Sequence, residues 1–186
     1  MWLFVGSAAV LAGLWLGYRW WMSAPRPSAV PSRAPEPGKP KVLVNLYFAD
    51  DQAELLVRET REVIGPQSDS ALAQAVLEEL IKGPRGGLQP TIPPGTALRS
   101  QVSCAEGVCT VDFTEQFVSA HPGGTSGELM TIYSVVESLR ASVPGVKGVR
   151  FLVEGKTRES LAGHIFLGGP VFSEPGLIRW EGAQSP

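Results

Sequence analysis

Residues 125–142, TSGELMTIYSVVESLRAS, decide the fold. Leu129, Ile132, Tyr133, Val136 and Leu139 recur at helical spacing, so the segment is a helix with one apolar face. Thr125, with Glu128 three residues on, reads as an N-cap and capping box. Strands flank this helix: CTVDF (109–113) precedes it and VRFLVEG (149–155) follows, both rich in β-branched and aromatic residues.

Upstream of CTVDF lies LRSQVSC (98–104), joined to it through Ala105–Val108. If Glu106-Gly107 is a two-residue turn, Ala105 faces Val108, and Cys104 faces Cys109 as a non-hydrogen-bonded pair. Such partners have Cα atoms roughly 4.5 Å apart, which permits a cross-strand disulfide without requiring it. Two buried free thiols packed as small hydrophobes are the alternative. Val102, Cys104, Cys109, Val111 and Phe113 then share one face, as a core-facing strand pair needs. A disulfide would place the domain in an oxidising compartment.

Further out, a strand starts at Lys41, runs through VLVNLYF (42–48) and stops at Ala49, Asp50 and Asp51. LLVRETREVI (55–64) is a second, weaker strand. Ser68, Asp69 and Ser70 offer N-caps to a helix carrying Ala73, Val76, Leu77 and Leu80, which Gly83 and Pro84 end. The order is ββ-α-ββ-α-β. This predicts an α/β (α+β) domain with two helices packed on one face of a small mixed sheet. Beyond Pro170, residues 171–186 read as a flexible tail.

The first eighteen residues hold no charged side chain, and Arg19 is followed by Trp20, Trp21 and Met22. Residues 1–22 therefore read as an uncleaved transmembrane anchor with an aromatic interfacial belt, a cleaved signal peptide being the alternative. Residues 23–40 carry prolines at 25, 27, 31, 35, 37 and 40 and form an extended spacer. Arg19, Arg26, Arg33, Lys39 and Lys41 all follow the span, a distribution that by itself favours a cytoplasmic flank. The folded domain is expected over 41–170.

The 16 Lys plus Arg against 18 Asp plus Glu leave no basic stripe for nucleic acid. His121 and His164 each lack a second good ligand nearby, so no metal or cofactor is expected. Ser103, His164 and Asp112 lie in no nucleophile elbow, and Glu106 and Asp112 are not placed as a carboxylate pair. Gly123, Gly124 and Gly127 precede a helix but match no phosphate-binding motif.

Five stretches together resemble the GerMN domain of bacterial sporulation and spore-germination proteins. They are VNLYFAD (44–50); LIKGP (80–84) with TIPPGTAL (91–98); CTVDFTEQF (109–117); GGTSGELMTIYSVVESL (123–139); and GVRFLVEGK (148–156) with LAGH (161–164). The motif residues Gly83, Pro84, Pro93, Gly95, Asp112, Phe113, Gly123, Gly124, Glu128 and Gly155 read mostly as structural: helix stop, turn, strand polarity, loop and cap. Glu137-Ser138 departs from the pattern, where a small polar residue and Thr are more usual, which points to a different partner surface on that helix. The resemblance implies a fold akin to ring-building modules, a single-pass membrane location with the domain outside the cytoplasm, and assembly without catalysis. Expected partners are envelope proteins or further copies of the chain, met at a sheet edge or helix face. The rivals are a module binding peptidoglycan or a small envelope molecule near Gly123–Glu128, and a cell-wall hydrolase.

Overall fold

The structure, a computed structural model, describes residues 40–65 and 68–179. The expected anchor, nearly all of the spacer and residues 180–186 lie outside that range. Among the described residues no helix is long and apolar enough to cross a membrane.

Strands β1 (Lys41–Ala49) and β2 (Leu56–Ile64) pair antiparallel along their whole length, from Lys41↔Ile64 to Ala49↔Leu56. Asp50 shapes the connection, its Oδ1 accepting the N–H groups of Glu54 at 2.9 Å and Leu55 at 3.3 Å. Helix α1 (Asp69–Ile81) is capped by Ser68, whose hydroxyl accepts from the Ala71 N–H. Then come β3 (Ser103–Ala105), β4 (Val108–Phe113), the short α2 (Gln116–Ser119), α3 (Thr125–Ser142), β5 (Gly148–Val153) and β6 (Val171–Phe172). A 3₁₀ turn spans Pro175–Leu177.

The α+β class and the mixed sheet are as expected, but the strands divide between two sheets. One is β1-β2 and the other is β3-β4-β5-β6, in which β4 and β5 run parallel. The reason lies in α3, which takes the place of a neighbouring strand beside β1. Ser138 Oγ accepts the Tyr47 N–H at 2.9 Å, and Ser142 Oγ accepts from Asn45 N and donates to Asn45 O, each at 2.9 Å. Serines four residues apart on one helix face thus satisfy a strand edge that would otherwise be buried without partners.

Helix α3 was read as having one apolar face, yet it is buried on most sides. Ile132, Val135, Val136 and Leu139 join Leu46, Phe48, Leu77, Leu80, Phe113, Phe117 and Phe151 in the main core, while Glu128, Ser134, Glu137 and Ser138 are buried too. Phe113 and Phe117 stack at 4.2 Å between ring centroids, which explains the strand–short helix step in CTVDFTEQF.

The expected tail needs correcting over 171–179. Val171 and Phe172 pair with Val149 and Gly148, Ile178 is buried against Leu56, and the Arg179 guanidinium binds the Asp50 carboxylate. Segments this short carry no periodicity for a sequence reading to find.

In the cysteine hairpin, Cys104 pairs with Cys109 and Ala105 with Val108, the register expected. Glu106 and Gly107 have φ of 52° and 80°, the left-handed pair a type I′ turn demands. Cys104 and Cys109 form a disulfide across Cα atoms 4.0 Å apart. Closing so short a loop restrains the unfolded chain modestly, so reduction is expected to lower unfolding free energy by about 2 kcal/mol. Urea denaturation with and without reductant measures this, with a Cys104→Ala, Cys109→Ala variant as the reductant-insensitive control.

Candidate functional site

Six of the buried polar residues, Arg61, Asp112, Glu128, Glu137, Ser138 and, through its own contact with Arg179, Asp50, tie distant segments together, and the first five make four anchors. The first is Asp112 on β4. Its side chain lies on the opposite side of the strand from Val111 and Phe113, as expected, yet it is buried. Oδ1 accepts the Gly155 N–H at 2.8 Å and Oδ2 pairs with Arg99 Nη1 at 3.0 Å. Arg99 also donates its backbone N–H to Asp112 O at 2.8 Å and reaches Glu154 at 3.2 Å. Asp112 and Gly155, 43 residues apart, thus form one contact, and a Cβ at Gly155 would come within 3.3 Å of Arg99.

The second anchor corrects the reading of Glu128. The N-cap of α3 is Gly124 and no side chain caps the helix, so Thr125 and Glu128 form no capping box. Gly124 has φ 81° and ψ 152°, a conformation almost confined to glycine, and its carbonyl accepts the Glu128 N–H at 3.0 Å. The fully buried Glu128 carboxylate turns the other way. It accepts the N–H groups of Leu161 at 2.9 Å and His164 at 2.8 Å, with His164 Nδ1 at 3.1 Å. Burial alone would raise its pKa, but the N–H groups of Ala162, His164, Leu161 and Ile165 outweigh that and hold the carboxyl below its ordinary range.

Glu137 and Ser138 make up the third. They were expected to alter a partner surface, but both are fully buried within the chain. Glu137 accepts from Ser173 Oγ at 2.6 Å, Glu174 N at 3.0 Å and Arg140 Nε at 2.8 Å, while Ser138 holds β1. The departure from the GerMN pattern therefore accompanies a docked C-terminal segment.

The fourth was not foreseen. Arg61, 3% exposed, lies on the core-facing side of β2. It pairs with Glu59 at 2.6 Å and Glu79 at 3.2 Å, donates to Glu79 O at 2.9 Å and Gly83 O at 2.6 Å, and stacks over Phe48 at 5.3 Å. Gly83, expected as a helix stop, also presents this carbonyl, and Pro84 follows it into the next turn. Burial pushes the Glu59 and Glu79 carboxyls up, but hydrogen bonds from Arg61 to Glu59, and from Lys82 and Arg61 to Glu79, more than reverse this and hold both below the ordinary range. Alternation held the missed signal: Arg61 is in phase with Val63, a core position.

The remaining motif residues shape loops. Pro93 O accepts the Thr96 N–H at 3.3 Å across a turn containing Gly95. Gly123 donates its N–H to His121 Nδ1 at 2.9 Å. Beside them, Ala49, Thr91–Pro94, Pro122, Gly127 and Met130 border a largely apolar cleft of about 250 Å³. The buried Thr91 hydroxyl, on its wall, has no hydrogen-bond partner.

Chemically, these groups are holdfasts. Asp112 and His164 serve different partners and form no relay with Ser103, and Glu106 and Asp112 do not meet. Among the described residues no three His, Cys, Asp or Glu side chains converge as metal ligands.

The fold recurs in solved structures. A Clostridium perfringens protein described as a lipoprotein matches with a TM-score of 0.52 and 22% identity, over 75% of this chain and 93% of that one. The tandem GerMN domains of the Bacillus subtilis sporulation protein GerM match at 0.56 and 22%, over 75% of this chain and 47% of that one, so the chain spans about half of the tandem protein. The first GerMN domain of GerM alone matches at 0.51 and 20%, over 71% and 97%. A search of curated proteins found no significant match. The Germane family model, described as sporulation and spore germination, matches residues 45–159. Those residues hold the Asp112 and Arg61 anchors entire, and Glu128, Glu137 and Ser138 of the other two, and the chain belongs to the Germane family.

Proposed function

We propose that this chain is a non-catalytic, membrane-anchored domain that works outside the cytoplasm, docking onto envelope proteins during sporulation or germination. The supporting observation is the use made of its buried carboxylates. Asp112, Glu128 and Glu137 are each occupied by N–H, O–H or guanidinium donors that position loops, an arrangement suited to a rigid recognition module. Family membership and a disulfide suited to an oxidising compartment favour the same reading. Residues 1–22 then serve as the anchor and 23–40 as the spacer.

A cysteine introduced at Gly182, in a variant lacking Cys104 and Cys109, tests the topology with a membrane-impermeant thiol reagent. Labelling in intact cells is expected; protection until lysis overturns the extracytoplasmic placement. The largely apolar cleft bordered by Ala49, Ile92, Pro93 and Met130 favours a second reading, a site for a small envelope molecule. Retention of the domain on purified cell wall, abolished by Met130→Trp in the cleft, would favour it.

A further inference from the structure

The arginines of this domain are nearly all engaged within it. Every other arginine among the described residues reaches a carboxylate or another partner, but Arg150, on β5, has neither a hydrogen bond nor an ion pair for its guanidinium. It is only partly exposed, so it has given up some of its water without gaining an anion.

The register places Arg150 on a face that no helix covers. Cys109, Val111, Val149 and Phe151 turn into the core, so Val108, Thr110, Gly148 and Arg150 turn the other way. Cross-strand partners set Ser103, Thr110 and Arg150 in one row and Ala105, Val108, Gly148 and Phe172 in the next. The second row is small until Phe172, and the surface dips there. Ser103, Ala105, Glu106, Val108, Thr110 and Arg150 line a depression of about 280 Å³. Phe172, 56% exposed, ends the second row against Gly148, where a Cβ would fall 2.9 Å from the ring. Asp112, next on the same face of β4, is already held by Arg99 and Gly155 and leaves Arg150 unneutralised.

The depression therefore offers one free guanidinium, the hydroxyls of Ser103 and Thr110, the acceptor-only carboxylate of Glu106 and, beside it, an exposed aromatic ring. A bare anion would meet Glu106 as well as Arg150. A sugar acid satisfies every group at once: its carboxylate pairs with Arg150, its hydroxyls serve Glu106, Ser103 and Thr110, and the C–H face of its ring lies on the negative face of Phe172. We propose that this sheet face is a binding site for a glycan containing uronic acid residues. The depression shares no lining residue with the apolar cleft, so the two sites stand or fall separately. Meeting such a glycan in the envelope rests on the extracytoplasmic reading; the binding itself does not.

The test titrates glucuronic acid, glucose and acetate into the isotope-labelled full chain in detergent micelles and follows the backbone amide signals. Glucuronic acid is expected to shift Thr110, Arg150 and Phe172 together and to bind about tenfold more tightly than glucose, the difference made by a charge-assisted hydrogen bond. It should also bind more tightly than acetate, which has no ring for Phe172. Arg150→Gln is expected to abolish the preference for glucuronic acid while leaving glucose binding and thermal unfolding unchanged, and Arg150→Lys to restore part of it. Phe172→Ala should weaken both sugars but not acetate. Equal affinity for glucuronic acid and glucose overturns the proposal, as do acetate binding as tight as that of the sugar acid, undiminished binding by Arg150→Gln, and absent shifts at Thr110 and Arg150. A polyglutamate peptide that shifts the same amides when glucuronic acid does not would overturn it in favour of an acidic protein partner.

Discussion

Replacing Arg61 with methionine is expected to lower the unfolding free energy by about 3–5 kcal/mol, the usual cost of removing one partner from a buried ionic network. The side chain is almost wholly buried and joins β2 to Glu79 at the end of α1 and to the Gly83 carbonyl beyond it. Methionine fills much of the space over Phe48 but takes the guanidinium from two carboxylates and two carbonyls, leaving Glu79 to Lys82 and Arg85 and Glu59 to the Arg85 N–H. Arg61→Lys should recover only part of the loss, since an ammonium cannot serve Glu59, Glu79 and Gly83 with the same planar fork. Adding Glu59→Gln and Glu79→Gln to the methionine variant should regain part of the stability, because two carboxylates that no longer share a buried guanidinium are then neutral. Urea denaturation of all four proteins measures these differences. The acid limb gives an independent check. Both carboxyls are depressed from 4.5 in the folded protein, so their contribution is present above that value and lost as pH falls through the folded pKa. The wild type should therefore lose stability more steeply below about pH 4.5 than Arg61→Met does.

What the sequence disclosed, and what it hid, follows from the range of each interaction. The hairpin at Glu106-Gly107 was legible to the residue, because a two-residue turn fixes register through backbone geometry alone. The two main helices were legible through their periodicity, to within a residue or two at their ends, and α1 through its Ser68 cap as well, whereas the cap expected for α3 does not form. The division into two sheets was hidden. It depends on Ser138 and Ser142 meeting β1, 91 and 97 residues away, and nothing local marks a serine as a substitute strand neighbour. Arg61 was hidden for a different reason. A charged residue in a strand is ordinarily assigned to solvent, although its phase with Val63 pointed inward. Of the motif residues, Asp112, Glu128 and Gly155 hold distant segments together, but their partners could not be read. Asp112 and Gly155 stand in separate motifs because they meet only in three dimensions.

Glu128→Ala is the sharpest test of such a partner. A capping-box glutamate would cost about 1 kcal/mol on truncation and loosen only the first turn of α3. The geometry predicts a loss of about 2–4 kcal/mol, because two backbone N–H groups, the buried one of Leu161 and the part-buried one of His164, lose a charged acceptor. Glu128→Gln should fall between wild type and alanine, since an amide keeps one acceptor oxygen but turns an NH₂ group toward donors. Amide hydrogen exchange separates the two accounts. Anchoring requires lost protection at Leu161 and His164 while Glu128 and the turn after it stay protected; fraying confined to the start of α3 would return Glu128 to the role of a cap. The pH dependence has a definite sign. The folded carboxyl lies below 4.5, so its stabilisation is complete at neutral pH and disappears as pH falls through the folded pKa. Acidification of the wild type should then release the 161–165 loop before the core strands open, whereas in Glu128→Ala that loop is already free and its exchange should respond little to the same change.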